Sequence, residues 1–109
     1  MTDSPQADVV VTKRDDRFAL TVDGQPAGMI TYRDNHDVRA MPHTEVDPAF
    51  QGRGLATVLI TAALDQTRAE GLQVLPMCPA IAKYIRTHAE YADLVPEAQR
   101  AAYGVGGKD

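Results

Sequence analysis

The most restrictive feature of the sequence is a change of pattern around a glycine-bracketed turn. Before it, short runs rich in β-branched residues alternate with polar turns, whereas Leu55 to Leu64 is almost entirely apolar and rich in helix formers. The turn itself has the sequence QGRGLA over residues 51–56, with Gly52 and Gly54 directly before the apolar run. This order predicts a strand, a tight turn and a buried helix that ends near Gly71.

The first half of the chain predicts an antiparallel meander. Four strand-like runs are joined by short polar turns and span residues 8–13, 17–22, 29–33 and 36–46. After the long helix, residues 72–78 predict a short apolar strand. Residues 80–92 predict a second helix, with Pro79 at a position that helices tolerate.

Length and composition predict a single domain over residues 1–109, with residues 1–7 and 104–109 expected to fray. The formal net charge of −4 argues against a nucleic-acid partner, which would need clustered Lys and Arg.

No apolar run is long enough to span a bilayer, and the first residues lack the features of a signal peptide. Together with the single cysteine, Cys78, this predicts a cytoplasmic protein without a membrane partner. His36, His88 and the acidic residues show no metal-ligand spacing, so no metal is expected.

The glycine turn creates a possible anion site. The first turn of a helix leaves backbone N–H groups unpaired, and the helix dipole favours negative charge there. Gly52 and Gly54 lack the Cβ atoms that would keep a phosphate away from this backbone. The alternative is a tight connection that needs glycine only for its geometry. The third glycine of a dinucleotide fingerprint and the Lys of a P-loop are both missing, and the strands before the turn form a meander rather than a βαβ unit.

The stretch VDPAFQGRGLATVLI resembles motif A of the GNAT superfamily of N-acetyltransferases. The signature Q/R-x-x-G-x-G/A is met by Gln51, Gly54 and Ala56. With the downstream CPAIAKYI, the resemblance extends from His43 to Tyr91 and is similar to the small YjdJ-type members. It implies an α/β (α+β) fold with a mixed, mostly antiparallel sheet and two main helices. Because only short turns join the first strands, this would be a minimal version that lacks the early helices.

The resemblance also implies acetyl-CoA or another acyl-CoA as cofactor. In that family, backbone amides of the motif hold the pyrophosphate, and the pantetheine arm lies between the flanking strands. Carried onto this sequence, the cofactor-binding residues are Val46, Phe50, Gln51, Gly52, Arg53, Gly54, Leu55, Ala56, Cys78, Pro79 and Lys83. For Lys83 the alternative is a solvated side chain.

The implied function is transfer of an acetyl group to an amine. Without the early helices the acceptor site should be open, which suits a protein lysine or a peptide amine. The asparagine that the family usually carries at the end of the strand after the long helix is absent, since Met77, Cys78 and Pro79 occupy its neighbourhood. The alternative function is a CoA-binding regulatory module with little or no turnover. The expected state is a monomer or weak dimer.

Four candidate catalytic residues accompany the motif. His43 and Glu45 lie two apart on a predicted strand, so they share a face, and either could accept the amine proton. The alternative is that His43 makes an edge hydrogen bond and Glu45 is solvated. By resemblance, Tyr84 would protonate the departing sulfur; otherwise it is a tyrosine whose ring packs on the core. Three roles are open for Cys78: a covalent nucleophile, a thiol that lines the CoA site, or an inert residue of the core.

Overall fold

The structure is a computed structural model that describes residues 8–105. Of the segments predicted to fray, 1–7 and 104–109, residues 1–7 and 106–109 lie outside the described residues. Five strands form one sheet in sequence order. They are β1 (Val9–Lys13), β2 (Arg17–Val22), β3 (Gln25–Asn35), β4 (Val38–Val46) and β5 (Gln73–Leu75). The first four pair in antiparallel fashion, and β5 pairs with β4 in parallel. The predicted mixed, mostly antiparallel sheet is therefore confirmed.

Three α-helices follow the meander: α1 (Leu55–Ala69), α2 (Pro79–Thr87) and α3 (Glu97–Tyr103). Single 3-10 turns at Pro48–Phe50 and Ala89–Leu94 complete the helical structure. The second predicted helix is shorter than expected, because His88 leaves helical geometry at φ −133° and ψ 83°. Helix α3 was not anticipated. Within residues 8–105, no helix has the length and apolar character needed to cross a membrane.

Between β1 and β4 the described chain contains only short turns, so the expected minimal version without early helices is confirmed. One face of the sheet packs against α1 and α2, and alternate strand residues fill that core, among them Phe18, Leu20, Ile30, Met41 and Val74. From α1 and α2, Leu59, Leu64, Ile81 and Ile85 are fully buried against them. The opposite face carries Ala19, Met29, His43 and Glu45 and is covered by no helix of the described part.

Strand β4 is irregular where it approaches β5. Thr31 pairs with His43 but Arg33 pairs with Ala40, so β4 contains one extra residue between these rungs. The parallel ladder with β5 covers only Val38–Ala40 and is continued by one hydrogen bond, Cys78 N–H to the Met41 carbonyl at 3.0 Å. Beyond Met41, no strand among residues 8–105 pairs with this edge of β4. The four strands before the turn thus form the predicted meander, whereas the turn itself lies in a βαβ crossover, β4–α1–β5, that the sequence analysis did not assign.

The chain end is partly ordered. Gly104 ends α3 in the left-handed conformation at φ 68°, and Val105 is buried in the core with 3% exposure. Of the tail 104–109 that was expected to fray, these two residues therefore lie in the fold, because an apolar side chain after a glycine cap finds a core position.

Arg39 is a charged side chain in the core. It has no exposed surface and lies over the ring of Tyr32, at 4.6 Å from its centre. Its guanidinium donates to both carboxylate oxygens of Asp34, to Glu70 at 2.7 Å and to Thr67 at 3.2 Å. Burial lowers the pKa of Arg39, but the hydrogen bonds to Asp34 and Glu70 outweigh it and raise the pKa. The cluster joins β3, β4 and α1.

We expect Arg39→Met to lower the free energy of unfolding by about 2 kcal/mol, because it removes a buried guanidinium that donates hydrogen bonds to two part-exposed carboxylates and to buried Thr67. The control is Arg68→Met, which breaks an exposed pair with Asp93 and should cost at most about 1 kcal/mol. Urea denaturation of both variants measures the difference. Equal losses would contradict the assigned role of Arg39.

The same experiment has a pH dependence. The hydrogen bond from Arg39 holds the pKa of Glu70 below its ordinary value of 4.5. A carboxylate with a lowered folded-state pKa stabilises the protein above its unfolded pKa, and this contribution is lost as pH falls through the folded-state pKa. The stability difference between wild type and Arg39→Met should therefore shrink as pH drops below about 4.5.

Candidate functional site

The turn before α1 contains two glycines in the left-handed conformation. Gly52 has φ 80° and Gly54, which caps α1, has φ 73°. A Cβ built at either position meets no atom within 4 Å, so crowding does not require glycine there. The backbone conformation requires it, since L-residues with a side chain rarely adopt this φ. The space beside both glycines is open.

This turn leaves a run of backbone N–H groups free. The first hydrogen bond of α1 runs from Val58 N–H to the Gly54 carbonyl at 3.4 Å. From Gly52 to Thr57, no backbone N–H has a hydrogen-bond partner within the described residues. The first turn of α1 carries no acidic side chain. The unpaired N–H groups and the positive end of the helix dipole together make a site for an anion.

A cavity of about 160 Å³ lies against these N–H groups. Its walls are Val46, Phe50, Gln51, Gly52, Gly54, Leu55, Ala56 and Thr57. Gln51 Nε2 donates to the Val46 carbonyl at 3.0 Å and so holds the turn against the end of β4. Arg53 is exposed and does not line the cavity; its guanidinium lies over the Phe50 ring at 5.4 Å. The sequence reasoning did not include Thr57 among the cavity residues. Its position in the first turn of the predicted helix, next to the glycine turn, could have identified it.

His43 and Glu45 lie side by side on β4, as their spacing predicts. His43 Nε2 and Glu45 Oε1 are 3.2 Å apart, and both side chains are more than half exposed. They point to the uncovered face of the sheet, on the part of β4 that lies beyond its pairing with β5. This arrangement can accept a proton from a group that approaches the uncovered face.

Cys78 lies at the start of α2 and is 7% exposed. Its N–H bonds to Met41, so the residue sits against β4 two positions before His43. Its side chain belongs to the buried core cluster, and no hydrogen bond within residues 8–105 joins it to His43. Pro79 follows it as the first residue of α2 and is exposed.

Tyr84 lies on α2 with its ring partly buried against the core. Its hydroxyl is 2.9 Å from Thr61 Oγ1 on α1, and its ring stacks on His88 at 3.9 Å between ring centres. Thr61 was also missed by the sequence reasoning, because nothing in the sequence joins the two helices at this point. Lys83, the preceding residue, is exposed.

A second, larger groove of about 530 Å³ lies on the uncovered face of the sheet. Ala19 and Met29 form part of its floor, Arg14 and Arg17 line one end, and Glu45 and Asp47 line the other. Within the described part of the chain, no group of three or more His, Cys, Asp or Glu side chains is arranged to hold a metal ion.

Solved structures share this fold at low identity. A GCN5-like protein from Staphylococcus aureus is 19% identical, with a TM-score of 0.63 over 80% of this chain and 87% of that one. N-acetylglutamate synthase from Neisseria gonorrhoeae, solved with coenzyme A and N-acetyl-glutamate, is 18% identical with a TM-score of 0.50. That likeness covers 93% of this chain but only 27% of the synthase. No curated protein matches the sequence.

The sequence itself matches a family model described as GCN5-related N-acetyl-transferase over residues 17–94. The match covers β2 to the second 3-10 turn, and so includes the glycine turn, β5 and α2. The family model does not distinguish YjdJ-type proteins from other members, so the assignment of this chain to the YjdJ-type subgroup stays a prediction. The chain belongs to the GCN5-related N-acetyltransferase family.

Proposed function

We propose that the protein transfers an acetyl group from acetyl-CoA to a primary amine. The observation that carries the proposal is the run of unpaired backbone N–H groups from Gly52 to Thr57, which faces a cavity at the start of α1. A phosphate-bearing ligand satisfies such groups without any basic side chain. The pyrophosphate of CoA is the matching ligand in an N-acetyltransferase family.

The residues around the cavity fit such a ligand. Gly52, Gly54 and their neighbours would hold the pyrophosphate, and the unpaired edge of β4 beyond Met41 offers backbone groups to an extended amide-containing chain. Acetyl-CoA supplies the acetyl group as a thioester. For Arg53, Pro79 and Lys83, which are exposed and outside the cavity wall, contact with the cofactor stays a prediction.

His43 and Glu45 would remove the proton from the acceptor amine, which must be neutral to attack. Their exposed position on an uncovered sheet face suits an amine at the end of a flexible chain, such as a lysine or a peptide amine. Tyr84 would protonate the departing sulfur, with Thr61 orienting its hydroxyl. Cys78 would line the site as a buried thiol or carry the acetyl group itself.

The first functional prediction concerns the glycine turn. Acetyl-CoA at a hundredfold excess over its Kd should stabilise the protein by about 2.7 kcal/mol, raising Tm by roughly 10 °C. Gly54→Val should abolish this stabilisation, because it disturbs the left-handed cap that presents the N–H groups. Thermal denaturation with and without acetyl-CoA measures the shift.

Gly24→Val is the matched control. Gly24 also has a positive φ, 82°, and open space around it, but it lies in the β2–β3 turn away from the cavity. Both variants should lose stability, and only Gly54→Val should lose the response to acetyl-CoA. A wild-type Tm that does not move in millimolar acetyl-CoA would refute the cofactor assignment.

The second functional prediction concerns the base. We expect His43→Ala to lower kcat/KM roughly 10²-fold with little change in CoA affinity, and Glu45→Gln to lower it less. His36→Asn is the control, since His36 is an exposed histidine in the β3–β4 turn whose left-handed φ of 59° asparagine tolerates.

Steady-state assays of CoA release with a panel of amines measure these rates. Wild-type activity in both His43→Ala and Glu45→Gln would mean that neither side chain accepts the proton. If CoA binds but no amine is acetylated, the protein is a CoA-binding regulatory module instead.

The third functional prediction separates the roles of Cys78. We expect Cys78→Ser to keep a substantial fraction of the activity and the kinetics to be sequential, because the thiol is packed in the core. Intact-mass measurement after incubation with acetyl-CoA alone tests the alternative. An adduct of about 42 Da that is absent from Cys78→Ser, together with parallel double-reciprocal lines, would establish a two-step route through the thiol.

A further inference from the structure

The groove on the uncovered face is built from two rows of residues across the sheet. One row consists of Ala19, Met29 and Glu45, which all line the groove. The next row consists of Arg17, Thr31 and His43; of these Arg17 lines the groove, whereas Thr31 and His43 lie beside it. The middle of this surface is apolar or uncharged, whereas charged side chains stand at opposite ends. His43 and Glu45 belong both to these rows and to the proposed proton-accepting pair.

The end of the groove on β2 is basic. The N–H of Arg14 bonds to the Arg17 carbonyl at 2.7 Å, so these two arginines lie opposite each other and both line the groove. Asp16 accepts one hydrogen bond from Arg17 at 3.1 Å. Neither Asp15 nor Asp16 lines the groove. Because a guanidinium has five N–H donors, most donors of both arginines are free for an anion.

The end of the groove on β4 is acidic. Within residues 8–105, the only side-chain hydrogen bond of Glu45 is with His43, and the Glu45 side chain keeps most of its surface exposed. Asp47 is held at this end by its N–H, which donates to the Ala27 carbonyl at 2.7 Å. One of its carboxylate oxygens accepts from the N–H of Ala49 at 2.9 Å. An ammonium group is therefore attracted to this end before it loses its proton.

The two ends are a short molecule apart. Arg17 and Glu45 lie two strands apart across the sheet and one row apart along it, which places their Cα atoms about 12 Å from each other. Both side chains are long, so ligand groups that contact them can be several ångströms closer. A short aliphatic chain with an amine at one end and an anion at the other spans this distance.

From this charge pattern we infer that the acceptor is a small amino-carboxylate. Its carboxylate binds Arg14 and Arg17, and its amine lies at Glu45, next to His43 at the edge of the groove. The inference rests on the proposed function, because it names the substrate class of the same site. In the reaction, the amine nitrogen bonds to the acetyl carbonyl carbon and the thioester C–S bond breaks. His43 takes the amine proton, and the thiolate that leaves takes a proton from Tyr84.

A matched pair of compounds tests the inference: ε-aminocaproate and its amide, which share the amine and the chain but not the carboxylate. We expect wild-type protein, alone and with CoA, to bind the carboxylate about fivefold more tightly than the amide. The preference should decrease as salt is added. NMR titration gives the two dissociation constants.

The variant Arg14→Gln/Arg17→Gln should reduce the ratio of the two constants to about one, and the corresponding double lysine variant should keep most of it. The ratio is insensitive to a general loss of fold or activity. Arg33→Gln is the control, because Arg33 is an exposed arginine of the same sheet outside the groove, and it should leave the ratio unchanged.

Equal constants in the wild type, no binding of either compound, or a preference that survives in the Arg14→Gln/Arg17→Gln variant would each overturn the inference. Failure of the proposed function gives a different result. In that case the carboxylate preference is present, but no acetylated product forms from acetyl-CoA and either compound.

Discussion

The site depends on the way β4 is held in the sheet. The strand is antiparallel to β3 over most of its length, but its parallel pairing with β5 stops at Ala40. From there onward β4 offers a free backbone edge on one side and His43 and Glu45 on its outer face. The glycine turn begins directly after it, held by the hydrogen bond from Gln51 to Val46. The buried Arg39 fixes the other end of β4 to α1.

At the end of β4, the two faces of the sheet therefore differ in what covers them. Helix α1 covers one side and presents its unpaired N–H groups at the end of β4. The other side is uncovered and carries the charged groove. In the proposed function, acetyl-CoA and the amine approach β4 from different directions, so neither needs to displace the other. In the same proposal, the uncovered face gives a chain without the early helices a place for an acceptor.

Periodicity and turn chemistry were enough to predict the meander, α1 and the pairing of His43 with Glu45, since these follow from local spacing. The early start of β3 at Gln25 was not predicted. Pro26 and Gly28 favour a turn, and only a shift in register beside Leu20 and Thr21 lets them join the strand. The contact between Thr61 and Tyr84 depends on how two helices pack. The groove depends on which residues of different strands become neighbours in the sheet. Neither the Thr61–Tyr84 contact nor the groove could therefore be predicted from one segment of the sequence.

The attachment of α2 has a consequence for what sets the distance between the two halves of the site. Strand β5 is three residues long, so the backbone ladder does little to fix the helix that carries Cys78 and Tyr84. Its position is set mainly by Ile81 and Ile85, which are buried beneath it. Interior side-chain volume therefore adjusts the spacing between α2 and β4. Removal of a methyl group from the core would change the distance between α2 and β4, without altering any residue that contacts a substrate in the proposed function.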